Sequence, residues 1–169
     1  HDREWGRESR DSRHLFEMLC LEGQQAGLSW WTILQRRENY RQAFADFDPY
    51  ILADYGDEEL SRLLENEGII RNKLKIQSII NNARACLEIE REGRPFSDYI
   101  WGFVDGQAII NDFHDQAEVP SESVISQRMA RQLKKDGFSF VGPTICYAYM
   151  QAVGMVNDHT RQCFLYQEK

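Results

Sequence analysis

Glu22, Gln24, Gln25, Gly27, Trp30 and Trp31 stand close together in the stretch Leu21-Glu22-Gly23-Gln24-Gln25-Ala26-Gly27-Leu28-Ser29-Trp30-Trp31. A carboxylate accepts hydrogen bonds, amides both donate and accept, and indoles offer flat apolar faces. A plain helix–helix connection needs only a glycine and a polar residue or two. This richer set suits a flat ligand with a polar edge, and we read it as the floor and wall of a base pocket. Each residue has a plainer role beside that one. Glu22 alone would be a solvated helix end, Trp30 and Trp31 core and surface packing, and Leu28 part of the core.

The elements that must position this stretch are helical. Leu15, Phe16, Met18 and Leu19 recur at helical spacing before it, and Trp30, Ile33, Leu34 and Phe44 after it. Residues 1–10 are polar around Trp5 and read as irregular. The pattern predicts a helix over 12–26, ended by Gly27, and another over 30–45, capped by Ser29 and closed before Asp48-Pro49. Asp57 caps a short helix that ends near Gly68. Arg71 to Arg91 is the longest amphipathic segment, and Gly93 and Pro95 stop it. Phe96 to Phe103 reads as a short aromatic helix in the core. Residues 104–120 lack a helical period and form the longest expected loop, with Ile109-Ile110 as a brief strand. Ser121 or Ser123 opens a helix that runs to Lys135, and Pro143, suited to a first turn, opens the last, to about Gly154. The fold class is all-α, as one domain over 1–169 or two small helical lobes sharing a cleft.

Composition bounds the function. The 169 residues carry 42% hydrophobic side chains, enough for a core, and no apolar run reaches membrane-spanning length. Cys20, Cys86, Cys146 and Cys163 are scattered without a disulfide framework, which points to a reducing cytoplasm. A net charge of −7 argues against a general nucleic-acid coat, although local basic clusters matter more than totals.

One such cluster lies at Arg131, Lys134 and Lys135, just before Phe138-Ser139-Phe140-Val141-Gly142-Pro143-Thr144. That segment is a tight connection between two helices. Its glycine leaves backbone N–H groups approachable at a helix start, which can hold a phosphate without reading sequence. The alternative is an ordinary helix hairpin with a solvated basic end.

LEGQQAGLSW, with FEMLC before it and RENYR after it, resembles the type I 3-methyladenine DNA glycosylases. The 138–144 segment looks like the hairpin of the wider helix–hairpin–helix DNA-glycosylase superfamily, and residues 68–75 resemble the segment before its long central helix. The superfamily resemblance spans much of the chain, and the type I pattern runs from His1 to Cys163. It implies a helical bundle with the base pocket in a cleft, acting as a monomer on double-stranded DNA that carries alkylated bases. The reaction implied is monofunctional hydrolysis of the N-glycosidic bond after base flipping, with free 3-methyladenine as product. Glu22 would contact the base, with Trp30 and Trp5 as aromatic faces. Gly27 and Leu28 sit where the family inserts into the DNA at the lesion. Val141, Gly142 and Thr144, with Lys134 and Lys135, would hold the strand.

Departures from the superfamily bear on the chemistry. Many of its members carry an aspartate in a V-D-x-H-V pattern, whereas this chain has Val156-Asn157-Asp158-His159-Thr160. No lysine occurs between Lys135 and Lys169, so the usual lyase nucleophile is missing, and four clustered cysteines for an iron–sulfur centre are absent. These absences fit the type I family.

His159 and Cys163 stand four residues apart, so on a helix both would face one way. Capping or packing is the commoner role of such a pair. The type I family adds a histidine in a Y-H-D-x-E-W-G string, which His1-Asp2-Arg3-Glu4-Trp5-Gly6 matches at His1, and a cysteine that would lie upstream of residue 1. The resemblance therefore implies a structural zinc site with His1, His159 and Cys163, and an N-terminus that is incomplete here. Two other classes remain open: a helix–hairpin–helix module that binds DNA without cutting bases, and a nucleobase-binding or nucleoside-hydrolysing protein suited to the acidic charge.

Overall fold

The computed structural model describes residues 4–158. The bundle is organised around α1 (Ser12–Gln24). Asp11 caps its start by accepting the His14 N–H, and every residue from Leu15 to Gln24 is buried. A helix buried on all sides is a core element rather than an amphipathic cover. It packs against α6 (Lys73–Arg91), α7 (Phe96–Trp101) and α9 (Pro143–Ala152). Phe16 meets Phe96 edge-on, and the Tyr149 hydroxyl donates to Leu15 O at 2.8 Å. Each large apolar side chain so buried contributes about 1.5–3 kcal/mol.

The expected helix over 30–45 is two helices. α2 (Trp30–Gln35) starts on Ser29, as expected, but the backbone at Arg36 leaves helical geometry (φ −100, ψ 1), and α3 (Arg37–Ala43) begins anew. The Arg36 guanidinium donates to Glu67 O at 3.0 Å, a contact 31 residues away that no local pattern encodes. Ala45, Asp46 and Phe47 then adopt positive φ, and α4 (Pro49–Leu52) follows on an Asp48 cap. The Asp48-Pro49 pair thus opens a short helix besides closing the one before it, because proline is tolerated at a first helical position.

α5 (Asp57–Leu64) is capped by Gly56 rather than Asp57. Asn72 caps α6, and Ser123 caps α8 (Val124–Lys135). The brief strand β1 (Ile109–Ile110) is present and pairs in parallel with β2 (Val156–Asn157), Ile109 opposite Val156. No helix among the described residues is long and apolar enough to cross a membrane.

Candidate active site

Two glutamates of α1 are buried, and they are treated in opposite ways. Glu17 accepts hydrogen bonds from Arg41 at 2.6 Å and Arg37 at 3.0 Å. Burial alone would raise its pKa, but those two guanidiniums outweigh burial and hold it below the usual carboxylate range. Glu22, in the last turn, is 3% exposed, and no cation or hydrogen-bond donor among the described residues meets its carboxylate. Burial therefore pushes its pKa up to about 8. A buried carboxylate without a partner is costly to a fold. Such a group is a strong candidate for a ligand contact.

The backbone turn beyond Glu22 is fixed by residues that carry little signal in the sequence. Gln24 is fully buried; its amide donates to Lys75 O at 2.8 Å and accepts the Tyr40 hydroxyl at 3.2 Å. Tyr40 in turn accepts the Ile70 N–H at 3.1 Å. The Lys75 ammonium donates to Gln24 O at 3.0 Å and Ala26 O at 2.6 Å. Gly27 then turns in the left-handed region (φ 79) with open space around it, and Leu28 is 40% exposed. Leu28 is thus outside the core, where an inserting side chain has to be.

Trp30 and Trp5 are both half-buried and packed against the core, whereas Trp31 is 64% exposed. Trp5 is held by its neighbours in the chain. Glu4 pairs with Arg37 through two hydrogen bonds, at 2.6 and 2.7 Å. The N–H groups of Gly6 and Ser9 donate to Ala152 O and Val153 O, at 2.9 and 3.0 Å. This strap crosses the end of α9, and Gly154 (φ 81) leaves no room for a side chain beneath it.

The connection between α8 and α9 lies against the same helix that carries Glu22. A Cβ on Gly23 would stand 3.2 Å from both Cβ and O of Phe140. Asn82 of α6 clasps the turn, accepting the Ser139 N–H at 2.8 Å and donating to Ser139 O at 3.4 Å. Lys134, Lys135 and Thr144 are exposed, and Gly142 opens α9 with free space beside its Cα. Val141 departs from the expected strand contact in one respect. Its side chain is 1% exposed and belongs to the core, so only its backbone can face a strand.

Asn157 stands where many superfamily members have their aspartate, and the neighbouring Asp158 is engaged elsewhere. It accepts hydrogen bonds from Tyr147, Asn111 and Gln151, tying β2 to α9 and to the loop after β1. The three expected metal ligands, His1, His159 and Cys163, lie outside the described residues, and among those described no cluster of metal-binding side chains occurs. The structure thus brings Glu22, the 24–28 turn and the hairpin onto α1. Lys75, Tyr40 and Asn82 are the positioning residues that sequence reasoning missed, since the partners that define their roles lie 16–57 residues away.

The family model for methyladenine glycosylases matches residues 1–166. DNA-3-methyladenine glycosylase 1 of Escherichia coli is 51% identical over 166 residues, covering 98% of this chain and 89% of that one. A crystal structure of a 3-methyladenine DNA glycosylase I superposes with a TM-score of 0.97 at 54% identity, covering 99% and 92% of the two chains. A variant of such an enzyme in complex with 3-methyladenine gives a TM-score of 0.96 at 32% identity, covering 99% and 90%. The chain belongs to the methyladenine glycosylase family.

Proposed function

We propose that this protein excises 3-methyladenine from alkylated double-stranded DNA, hydrolysing the N-glycosidic bond and leaving the strand uncut. The observation that carries this reading is the buried Glu22 carboxylate at the end of α1, which has no partner among the described residues. Methylation at N3 makes the adenine nucleotide cationic, so its glycosidic bond is weak and the base departs neutral. Strong general-acid catalysis is unnecessary for such a substrate; extraction and recognition of the base are the main tasks. Flipping costs a few kcal/mol, less for a poorly paired lesion. Once ionised, Glu22 accepts hydrogen bonds from the base edge and offsets its charge. Trp30 and Trp5 supply aromatic faces worth roughly 0.5–2 kcal/mol toward a cation. Ordinary adenine gains less from both. Gly27 and Leu28 fill the gap left in the duplex.

The direct test is to incubate the protein with methylated DNA and identify the released bases by chromatography. Release of 3-methyladenine with intact strands is expected. Duplex binding without release would instead favour a non-enzymatic module, and equal release from free nucleoside would favour a nucleoside hydrolase.

The phosphate grip is assigned to the 137–144 turn with Lys134 and Lys135. Removing one cation from a phosphate should lower the salt slope of duplex binding by roughly one. A Lys134→Ala, Lys135→Ala double variant is therefore expected to bind duplex more weakly and with a shallower salt dependence. Unchanged affinity and slope would remove both lysines from the footprint.

A structural zinc completes the proposed molecule, held by His1, His159, Cys163 and a cysteine upstream of residue 1. The strap supports it: hydrogen bonds from Gly6 to Ala152 and from Ser9 to Val153 lay the N-terminal segment beside the end of α9. Two imidazoles and two thiolates suit tetrahedral zinc, and a closed site leaves no place for reactive water. The metal would fasten the ends together. Metal analysis of a chain extended upstream, with Cys163→Ser as control, should find zinc in the first and less in the second. We further assign the protein to the cytoplasm as a monomer, for which sedimentation should return a single species near 19.9 kDa.

A further inference from the structure

Lys75 is a buried lysine, 7% exposed, and no carboxylate among the described residues acts on it. Buried lysines are rare, and those that occur are paired. This one is satisfied differently. Its ammonium donates to Gln24 O and Ala26 O, two carbonyls at the C-terminal end of α1. Helix-terminal carbonyls lack intrahelical partners and carry the negative end of the helix dipole, so a cation is well placed there.

The contact is reciprocal. The Gln24 amide donates back to Lys75 O, which also accepts the Ser78 hydroxyl at 2.6 Å, while Asn72 accepts the Lys75 N–H at 3.1 Å. Residues 24 and 75 are therefore clasped through both backbone and side chain. The clasp lies between Glu22 and the Gly27-Leu28 tip. The Lys75 ammonium is taken up by the two carbonyls and makes no ion pair with the Glu22 carboxylate. A lysine paired with Glu22 would neutralise the pocket and repel a cationic base.

We propose that Lys75 is a positioning residue for base recognition: it fixes the 24–28 turn on α6 and leaves Glu22 free to meet a cationic base. This rests on the functional reading above. The test compares wild type, Lys75→Met and Lys75→Arg in single-turnover excision from duplex carrying 3-methyladenine, normalised to the folded fraction. Lys75→Met keeps the apolar stem and removes the donors. Its maximal rate is expected to fall by about 10- to 100-fold, the effect of small misplacement in a site. Duplex affinity, set by phosphate contacts on the hairpin, should change less than about threefold. Lys75→Arg restores donors to both carbonyls and should recover most of the rate.

Amide hydrogen exchange of Ala26, Gly27 and Leu28 reads the turn without substrate and should quicken in Lys75→Met. A wild-type rate in that variant, an equal drop in rate and affinity, no rescue by arginine, or unchanged exchange would each overturn the proposal. A wild-type protein that releases no 3-methyladenine would sink the functional reading instead, and the exchange measurement would still decide whether Lys75 holds the turn. Should Lys75→Met fail to fold, Lys75→Leu, which also removes the donors, carries the same comparison.

Discussion

Glu22→Gln is expected to yield a protein that is more stable at alkaline pH and poor at holding its substrate. In the native protein Glu22 keeps its proton until pH about 8, against an ordinary value of 4.5, because burial disfavours the charge. The unfolded chain releases that proton near 4.5. Between these values the folded state binds more protons than the unfolded state, so stability falls as pH rises through this window and levels off above about 8. At about 1.4 kcal/mol per pH unit, the decrease amounts to roughly 5 kcal/mol at its full extent. Glutamine has no such charge to expel, although its buried amide costs about 1–3 kcal/mol if unpaired. The two proteins should therefore melt within a few degrees of each other at pH 6 and diverge in favour of the variant by pH 9. A melting difference that does not change with pH would mean that Glu22 ionises freely in the fold.

Function moves the other way. A charged hydrogen bond is worth about 1.5–3 kcal/mol, so losing it should cut excision about 10- to 100-fold. The wild type should also show a limb of kcat/KM that rises toward pH 8, since a cationic base is met by the ionised carboxylate. That limb should vanish in Glu22→Gln. Wild-type excision by the variant would remove Glu22 from recognition.

How far the site can be read from the sequence depends on how local each determinant is. Ser29 and Ser123 announce their helices, and Ile109-Ile110 its strand, because caps and β-branched pairs act over a few residues. The strand's partner is 47 residues on in a parallel pairing, and nothing near Val156 specifies it. Arg36 breaks a helix through a contact with Glu67 that periodicity does not carry. The same limit governs chemistry. Glu17 and Glu22 look alike on one helix, and the sequence singles out Glu22 only through its neighbours and a family resemblance. What separates them physically is that Arg37 and Arg41 fold back onto Glu17 and nothing folds onto Glu22 among the described residues. In the sequence Lys75 is only one basic residue among several at the start of α6.

Gly154→Ala is expected to be the most damaging single methyl in the described chain. The new Cβ would stand 2.5 Å from Glu8 N and 2.7 Å from both Arg7 C and Glu8 Cα. These are backbone atoms, so no side-chain rotation relieves the clash. The glycine also sits at φ 81, where a Cβ adds about 1–2 kcal/mol of its own. Relief requires the 7–8 segment to lift, which strains the flanking bonds from Gly6 to Ala152 and Ser9 to Val153, each worth about 0.5–1.5 kcal/mol. A total near 3 kcal/mol corresponds to a Tm lower by roughly 6–12 °C for a chain of this size. Gly27→Ala is the control, because Gly27 has a similar φ of 79 but nothing within 4 Å of its Cβ position. It should show only the conformational part, about a third to two thirds of the effect. Equal destabilisation in the two variants would show that the strap yields freely and that the clash carries no energy. The same displacement loosens Trp5, which lies between the Glu4–Arg37 pair and the Gly6 bond. Gly154→Ala should therefore excise 3-methyladenine more slowly than wild type even at a temperature where both are folded, if Trp5 is the aromatic face proposed for it.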